Sequence, residues 1–166
     1  NGVSKSHCMT GWRIGYAGGP PELIKAMIKI QGQSTSNASS ISQYAALAGI
    51  NGNNDFLKPC LDAFDERRKF VVKRLNAIEG MKCLMPEGAF YAYPNVLGIV
   101  GKQTPEGKTL NNDTEIVEWL LDTAEVAAVP GSAFGLEPYF RVSYATSLDL
   151  LNEAMNRIEK AILTLR

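Results

Sequence analysis

Apolar positions along the 166-residue chain recur in two rhythms, one of three to four and one of two, so the pattern predicts helices interleaved with short strands. Residues 12–17 (WRIGYA) read as a short strand closed by Gly18-Gly19. Pro20-Pro21 then open a helix, because a proline in the first turn lacks only an N–H that would have no helical partner anyway. Leu23, Ile24, Met27, Ile28 and Ile30 carry that helix to about Gly32, and the serine-rich stretch 33–40 reads as a loop. A second helix places Ile41, Tyr44, Ala45 and Ala48 on one face and stops at the turn signals Asn51-Gly52.

The clearest helix starts near Asp55. Leu57, Leu61, Phe64, Val71, Leu75 and Ile78 follow at helical spacing, interrupted at Arg68, and Gly80 supplies the stop. Acids (Asp62, Asp65, Glu66) precede bases (Arg67, Arg68, Lys69), an order that suits neighbour pairing and the helix dipole and reads as a solvated face. A helix this much longer than the globular average is expected to bridge two parts of a larger molecule. Lys82–Leu84 and Ala89–Tyr93 read as strands around Pro86-Glu87-Gly88, and 95–111 as a glycine-rich loop. Asn112 with Glu115 is a capping-box signature for a helix containing Ile116, Val117, Leu120 and Leu121. Val126–Val129 reads as a buried strand ended by Pro130-Gly131. Phe140, Val142 and Tyr144 alternate with Arg141, Ser143 and Ala145 as in a half-buried strand. Ser147 caps a final helix with Leu151, Ala154, Ile158, Ala161 and Leu165 inward. The fold class is therefore α/β, and residues 53–166 are expected to form a compact α+β unit with an antiparallel or mixed sheet.

Charge and composition narrow the function. Seventeen basic and 17 acidic side chains cancel, which removes the electrostatic case for a nucleic-acid or anionic-membrane partner. No apolar run approaches the ~20 residues that span a bilayer, and no signal peptide opens the chain. Cys8, Cys60 and Cys83 lack CxxC spacing and read as reduced thiols of an intracellular protein; a single histidine excludes a multi-histidine metal site, so no metal is expected. The chain opens on Asn1 with an informative motif at once, and is read as a piece of something longer.

That motif is NGVSKSHCMTGWRIGYAGGP. A nucleophilic lysine needs a partly desolvated, cation-rich setting, and an arginine held on a rigid element can bind a phosphate bidentately. Lys5 and Arg13, eight residues apart, are together what a pyridoxal phosphate site requires, although spacing alone leaves an ordinary surface lysine open. His7 and Cys8 adjoin the lysine, but chain neighbours rarely point at one another, so packing or surface is the reading for both. Phe90, Tyr91 and Tyr93 read as sheet packing.

SK-x(5)-GWRIGYAGGP resembles the lysine signature of class I aminotransferases, pyridoxal-phosphate enzymes of fold type I. GAFYAYP (88–94) and VAAVPGSAFG…FRVSYATS (126–147) are similar to two further segments of that family in the same order, and the bacterial-type aspartate aminotransferase branch is the nearest resemblance. The resemblance implies that Lys5 bonds covalently to the cofactor aldehyde and then moves the substrate proton. By the same resemblance Arg13 holds the cofactor phosphate, Ser4 helps to shape the phosphate cup, and Arg141 grips the substrate α-carboxylate. Gly2 stands three residues before the lysine, where one branch of the family has serine. The family's ring-nitrogen aspartate, its asparagine and tyrosine at the cofactor hydroxyl, and its glycine-rich phosphate turn all precede the lysine. Residues 1–52 are accordingly expected to be the C-terminal segment of the large cofactor-binding domain (a strand and two helices), and 53–166 the small C-terminal domain. The resemblance further implies aspartate and 2-oxoglutarate as the preferred substrates, pyridoxal 5′-phosphate as cofactor and a cytoplasmic homodimer, and leaves open aromatic, prephenate or alanine-type specificity, a related fold type I lyase or synthase, and a non-catalytic folded fragment. Without the residues that precede the lysine in the family, the isolated chain is expected to be inert.

Overall fold

In a computed structural model describing residues 1–166, the chain divides into two compact units, Asn1–Cys60 and Leu61–Arg166. The boundary falls in the first turn of the longest helix.

The first unit is a looped N-terminal segment followed by helices α1 (Pro21–Ser34) and α2 (Ser40–Asn51). Pro21 is the first residue of α1, and Glu22 sits in its first turn, where the helix dipole favours an acid. The strand expected at 12–17 is absent. Thr10–Trp12 form a 3-10 turn, Arg13 follows in the left-handed region at φ 52°, and Gly2 pairs with Gly15 in an isolated antiparallel bridge. A strand extends only as far as a neighbour answers its N–H and C=O groups, and here Asn1-Gly2 are the sole neighbours. The face of α2 that turns inward carries small side chains. Ser42 and Ala46 are buried and Ala45 and Gly49 half-buried, whereas Ile41 and Tyr44 are 72% and 75% exposed. Small side chains let the N-terminal loop come close: a Cβ on Gly49 would lie 3.4 Å from the His7 ring and 3.6 Å from Met9 Sδ.

The second unit folds on a three-stranded antiparallel sheet, β1 (Tyr91–Ala92), β2 (Val129–Pro130) and β3 (Phe140–Ser143), in the order β1-β3-β2. The registers pair Tyr91 with Ser143 and Val129 with Arg141. Phe140 and Val142 are buried while Arg141 stays half-buried and Ser143 exposed, as the period of two requires. The strands are shorter than their apolar runs. Lys82–Leu84 supplies only a bridge from Lys82 to Asn95, and the strand expected at Val126–Val129 begins at Val129 and is half-buried. Asn76 is the reason at Cys83, because its amide donates to the Cys83 carbonyl and its oxygen accepts the Cys83 N–H, replacing a neighbouring strand.

Helices α3 (Leu57–Ala77), α4 (Asp113–Ala124) and α5 (Leu148–Ile162) complete the unit. Val71, Leu75, Ile116, Leu120, Phe140, Tyr144, Met155 and Ile158 form its core with the inner face of the sheet. Arg68, the break in the apolar stripe of α3, is no solvated residue. Its guanidinium donates to the Pro86 carbonyl at 2.8 Å and pairs with Asp65, whose carboxyl Lys69 and Arg68 hold below the usual range. The turn after α3 needs glycine twice: Gly80 has φ +87°, and a Cβ on Gly98 would meet Gly80 Cα at 2.5 Å. The Asn112 side chain accepts the Glu115 N–H, as the capping signature predicts. Glu115 reaches back one residue further than in a standard box, to the Asn111 N–H, and this bond lowers its pKa. Ser147 caps α5 through the Leu150 N–H. No helix is long and apolar enough to cross a membrane.

Candidate active site

Lys5 and Arg13 stand near the two ends of one closed loop. The Gly2–Gly15 bridge forms its neck, reinforced by the Asn1 amine on the Tyr16 carbonyl at 2.8 Å and the Tyr16 N–H on the Asn1 carbonyl at 2.9 Å. Lys5 follows the neck by three residues and Arg13 precedes it by two. Buried Val3 anchors the near side, and a tight turn closed by the Cys8 N–H on the Lys5 carbonyl presents the exposed Lys5 side chain. The Arg13 guanidinium is exposed and tethered by one bond to the Thr10 carbonyl at 2.8 Å, which leaves most of its donors outward. Ser4 is half-buried beside Lys5 in the chain.

His7 takes no part with Cys8. Its Nε2 pairs with Asn54 Oδ1 at 3.1 Å, its Nδ1 with Ser6 Oγ at 2.8 Å, and its ring meets Phe56 edge-on. It therefore pins the loop to the segment after α2. Cys8 is exposed, as is Cys60, while the Cys83 thiol is buried and its pKa is raised by that burial.

In the second unit, Arg141 occupies the middle of β3, where strand alternation turns it to the face opposite Phe140 and Val142. The Tyr91 and Phe134 rings both lie over its guanidinium, each with its centroid 4.4 Å from Cζ. Tyr91 comes from β1 by direct register, being paired with Ser143. Phe134 comes from the 3-10 turn Gly131–Phe134 that follows β2. Aromatic faces attract the cation and leave the in-plane N–H fork to do the hydrogen bonding, which is the arrangement that recognises a carboxylate bidentately.

A dense polar seam fixes that turn. The Gly131 N–H donates to the Tyr139 carbonyl at 2.7 Å, and the Tyr93 hydroxyl donates to the Gly131 carbonyl at 3.3 Å. The Ser132 N–H donates to Asp113 Oδ2 at 2.9 Å, and the Ser132 and Thr114 hydroxyls are 3.2 Å apart. Only glycine fits at 131, since a Cβ there would lie 2.1 Å from the Leu136 carbonyl oxygen. Burial raises the Tyr93 pKa, the Asp113 charge raises it further, and Arg141 opposes both.

The sequence singles out Lys5, Ser4, Arg13 and Arg141 as candidates but gives no sign of Phe134, Ser132 or Asp113 beside them. Tyr93 stacks on Tyr139 at 5.5 Å, in keeping with the sheet packing that the sequence suggests, whereas Tyr91 packs on Arg141. The available signal for Asp113 was its place directly after the Asn112 cap, which marks a helix start and says nothing of Ser132, 19 residues on.

Known proteins place these residues in context. The model of the family "aminotransferase class I and II" matches residues 1–158. An aspartate aminotransferase of Rhizobium meliloti (strain 1021) is 58% identical over 161 residues, covering 97% of this chain and 39% of that protein. An aspartate/prephenate aminotransferase of Cereibacter sphaeroides is 53% identical over 159 residues, covering 96% and 40%. The crystal structure of an aspartate aminotransferase from Rhizobium meliloti superposes with a TM-score of 0.93 at 56% identity, over all of this chain and 42% of that one. The chain thus spans about 40% of the length of the relatives it matches, and within that span its mixed helix-and-strand fold is a fragment of the fold type I aminotransferase structure. With nearly every residue inside one family model, the chain belongs to the class I and II aminotransferase family.

Proposed function

We propose that this chain is part of an enzyme that moves an amino group from an amino acid, aspartate by preference, to a 2-oxo acid such as 2-oxoglutarate, in ping-pong fashion with pyridoxal 5′-phosphate. The observation that carries the reading is the closed loop with Lys5 near one end and Arg13 near the other. An amine suited to an aldehyde and a guanidinium suited to a phosphate dianion are the donor set this cofactor needs, and the Ser4 hydroxyl adds a third donor. When bound, the cofactor supplies an electron sink for the charge left on the substrate α-carbon. Lys5 holds the cofactor and carries the α-proton, Arg13 and Ser4 hold the phosphate, and the Arg141 fork holds the substrate α-carboxylate. The name of the Cereibacter sphaeroides relative supports prephenate as a second acceptor.

Residues 1–52 then belong to the large cofactor-binding domain and 53–166 to the small one. The working enzyme is a cytoplasmic homodimer, a reading to which the family likeness and the exposed apolar side chains of α1 and α2 lend support. The 166-residue chain by itself is expected to be inert.

The test uses the full-length gene product with pyridoxal phosphate, aspartate and 2-oxoglutarate, following oxaloacetate. Lys5→Ala should abolish turnover with the fold intact. Arg141→Lys keeps the charge but loses the fork, and should cost about 2–3 kcal/mol in kcat/KM. A Lys5→Ala enzyme turning over near the wild-type rate would refute the assignment.

A further inference from the structure

Asp113 does not touch Arg141, but it is bonded to the turn whose ring packs on the Arg141 guanidinium. Of the two rings over its guanidinium, Tyr91 is held by the sheet register, but Phe134 sits on a four-residue turn and is 51% exposed. Besides Arg141, that ring meets the Tyr93 ring edge-on at 6.4 Å and is otherwise open to solvent. The turn is fastened at its backbone instead, and the Ser132 N–H, two residues before Phe134, is bonded to the Asp113 carboxylate. Asp113 is 1% exposed, occupies the first position of α4, and has the helix N-terminus to stabilise its charge. Thr114, the next residue on α4, engages the Ser132 hydroxyl. A buried carboxylate is costly unless it is answered by donors. Here one of those donors is the backbone of the turn that carries Phe134.

We propose that Asp113 is a positioning residue: by holding the Gly131–Phe134 turn against the start of α4, it keeps Phe134 on the Arg141 guanidinium and so aims the N–H fork. The inference rests on the reading of Arg141 as the carboxylate-binding residue. Its chemistry is local, since Asp113 Oδ2 accepts the Ser132 N–H, the turn sets the ring, and the ring limits the planes the guanidinium can adopt. Removing the latch frees Phe134 and lets the fork swing, which weakens binding of a carboxylate and of nothing else.

Two readouts test this. In the full-length enzyme loaded with pyridoxal phosphate, Asp113→Ala and Phe134→Ala should each raise KM for aspartate about tenfold, the share of a charge-assisted bidentate pair that depends on geometry. Both should lower kcat less and leave unchanged the single-turnover first half-reaction with benzylamine, which has no carboxylate and, followed without a 2-oxo acid, meets none. Asp113→Asn retains an acceptor for Ser132 and should stay within about twofold of wild type, because an amide oxygen can accept the same bond. The double Asp113→Ala/Phe134→Ala variant should be no worse than either single one, since both act through one ring. Additive effects, or a benzylamine half-reaction falling in step with the aspartate half-reaction, would overturn the proposal. Should Asp113→Ala fail to fold, Asp113→Glu keeps the charge at the helix start but pushes the turn away, and an unchanged KM there would overturn it equally.

The second readout needs no activity. In the 166-residue chain, proton NMR should find the Arg141 side-chain resonances displaced by the ring currents of Tyr91 and Phe134, and Asp113→Ala should move them toward their free values while the Tyr144 resonances stay put. Unmoved Arg141 resonances in a folded variant would refute the latch. Moved resonances in a protein whose full-length form transfers no amino group would uphold the latch and refute the functional reading instead.

Discussion

Residues 1–60 and 61–166 hold themselves together by different means. In the first unit the buried side chains are Val3, Ser42 and Ala46, and α1 buries none at all. Its apolar residues face outward, Ile30 at 72% and Tyr44 at 75% exposure, and its order comes from helix hydrogen bonds, a β-bridge neck and the His7 clasp. The second unit buries a contiguous core from Val71 to Ile162 around a small sheet. Burial is what offsets conformational entropy, so side-chain truncation should be felt in one unit and scarcely in the other. The candidate chemistry follows the same division, with Lys5 and Arg13 on a loop closed by backbone bonds and Arg141 on a strand backed by the core.

Paired substitutions can break this contrast, beginning with the largest effect. Leu75→Ala removes a fully buried side chain and should cost about 3–5 kcal/mol in urea unfolding, while Ile30→Ala should stay within about 0.5 kcal/mol. Trp119, buried in the second unit, reports the former by fluorescence in a Trp12→Phe background, and circular dichroism reports the latter. Equal losses would mean that the first unit possesses a core after all. Next, Gly131→Ala must displace the Leu136 carbonyl and should cost about 3 kcal/mol. Gly18→Ala meets nothing within 4 Å and should be close to neutral. A tolerated alanine at 131 would show the turn to be softer than its hydrogen bonds suggest. The finest probe is capping, where Asn112→Ala should cost about 1 kcal/mol. Ser39 precedes α2 without a side-chain cap bond, and Ser39→Ala should cost no more than a few tenths of a kcal/mol in the same urea unfolding.

Helices were easy to read because their signals are local. Pro21, the Asn112 cap, the Ser147 cap and the spacing from Leu57 to Ile78 each act within a turn or two, and the structure begins or ends helices beside them. Strands were harder. WRIGYA has the composition of a strand but lacks a ladder partner beyond Gly2, and Lys82–Leu84 lost its place to the Asn76 amide. Of the candidate site, the residues that carry charge into chemistry stood out through a motif or an alternation. Those that hold them in place, Asp113, Ser132 and Phe134, are joined by bonds across 19 residues that no short pattern encodes.

The neck at Gly2 and Gly15 has a consequence in entropy and concentration. Closing a flexible loop of about a dozen residues costs roughly 2 kcal/mol beyond a constant, and in this chain the loop from Val3 to Ile14 is closed by backbone pairing before any ligand arrives. On the proposed reading, an anion carried by a group attached at Lys5 would meet the Arg13 side chain as an intramolecular neighbour, at an effective concentration in the millimolar range or above. The second contact then needs no further search. Loosening the neck, for instance by replacing Gly2 with a bulkier residue that collides with the Ile14 carbonyl 3.3 Å from its Cβ, would leave both charged side chains intact and dilute one with respect to the other.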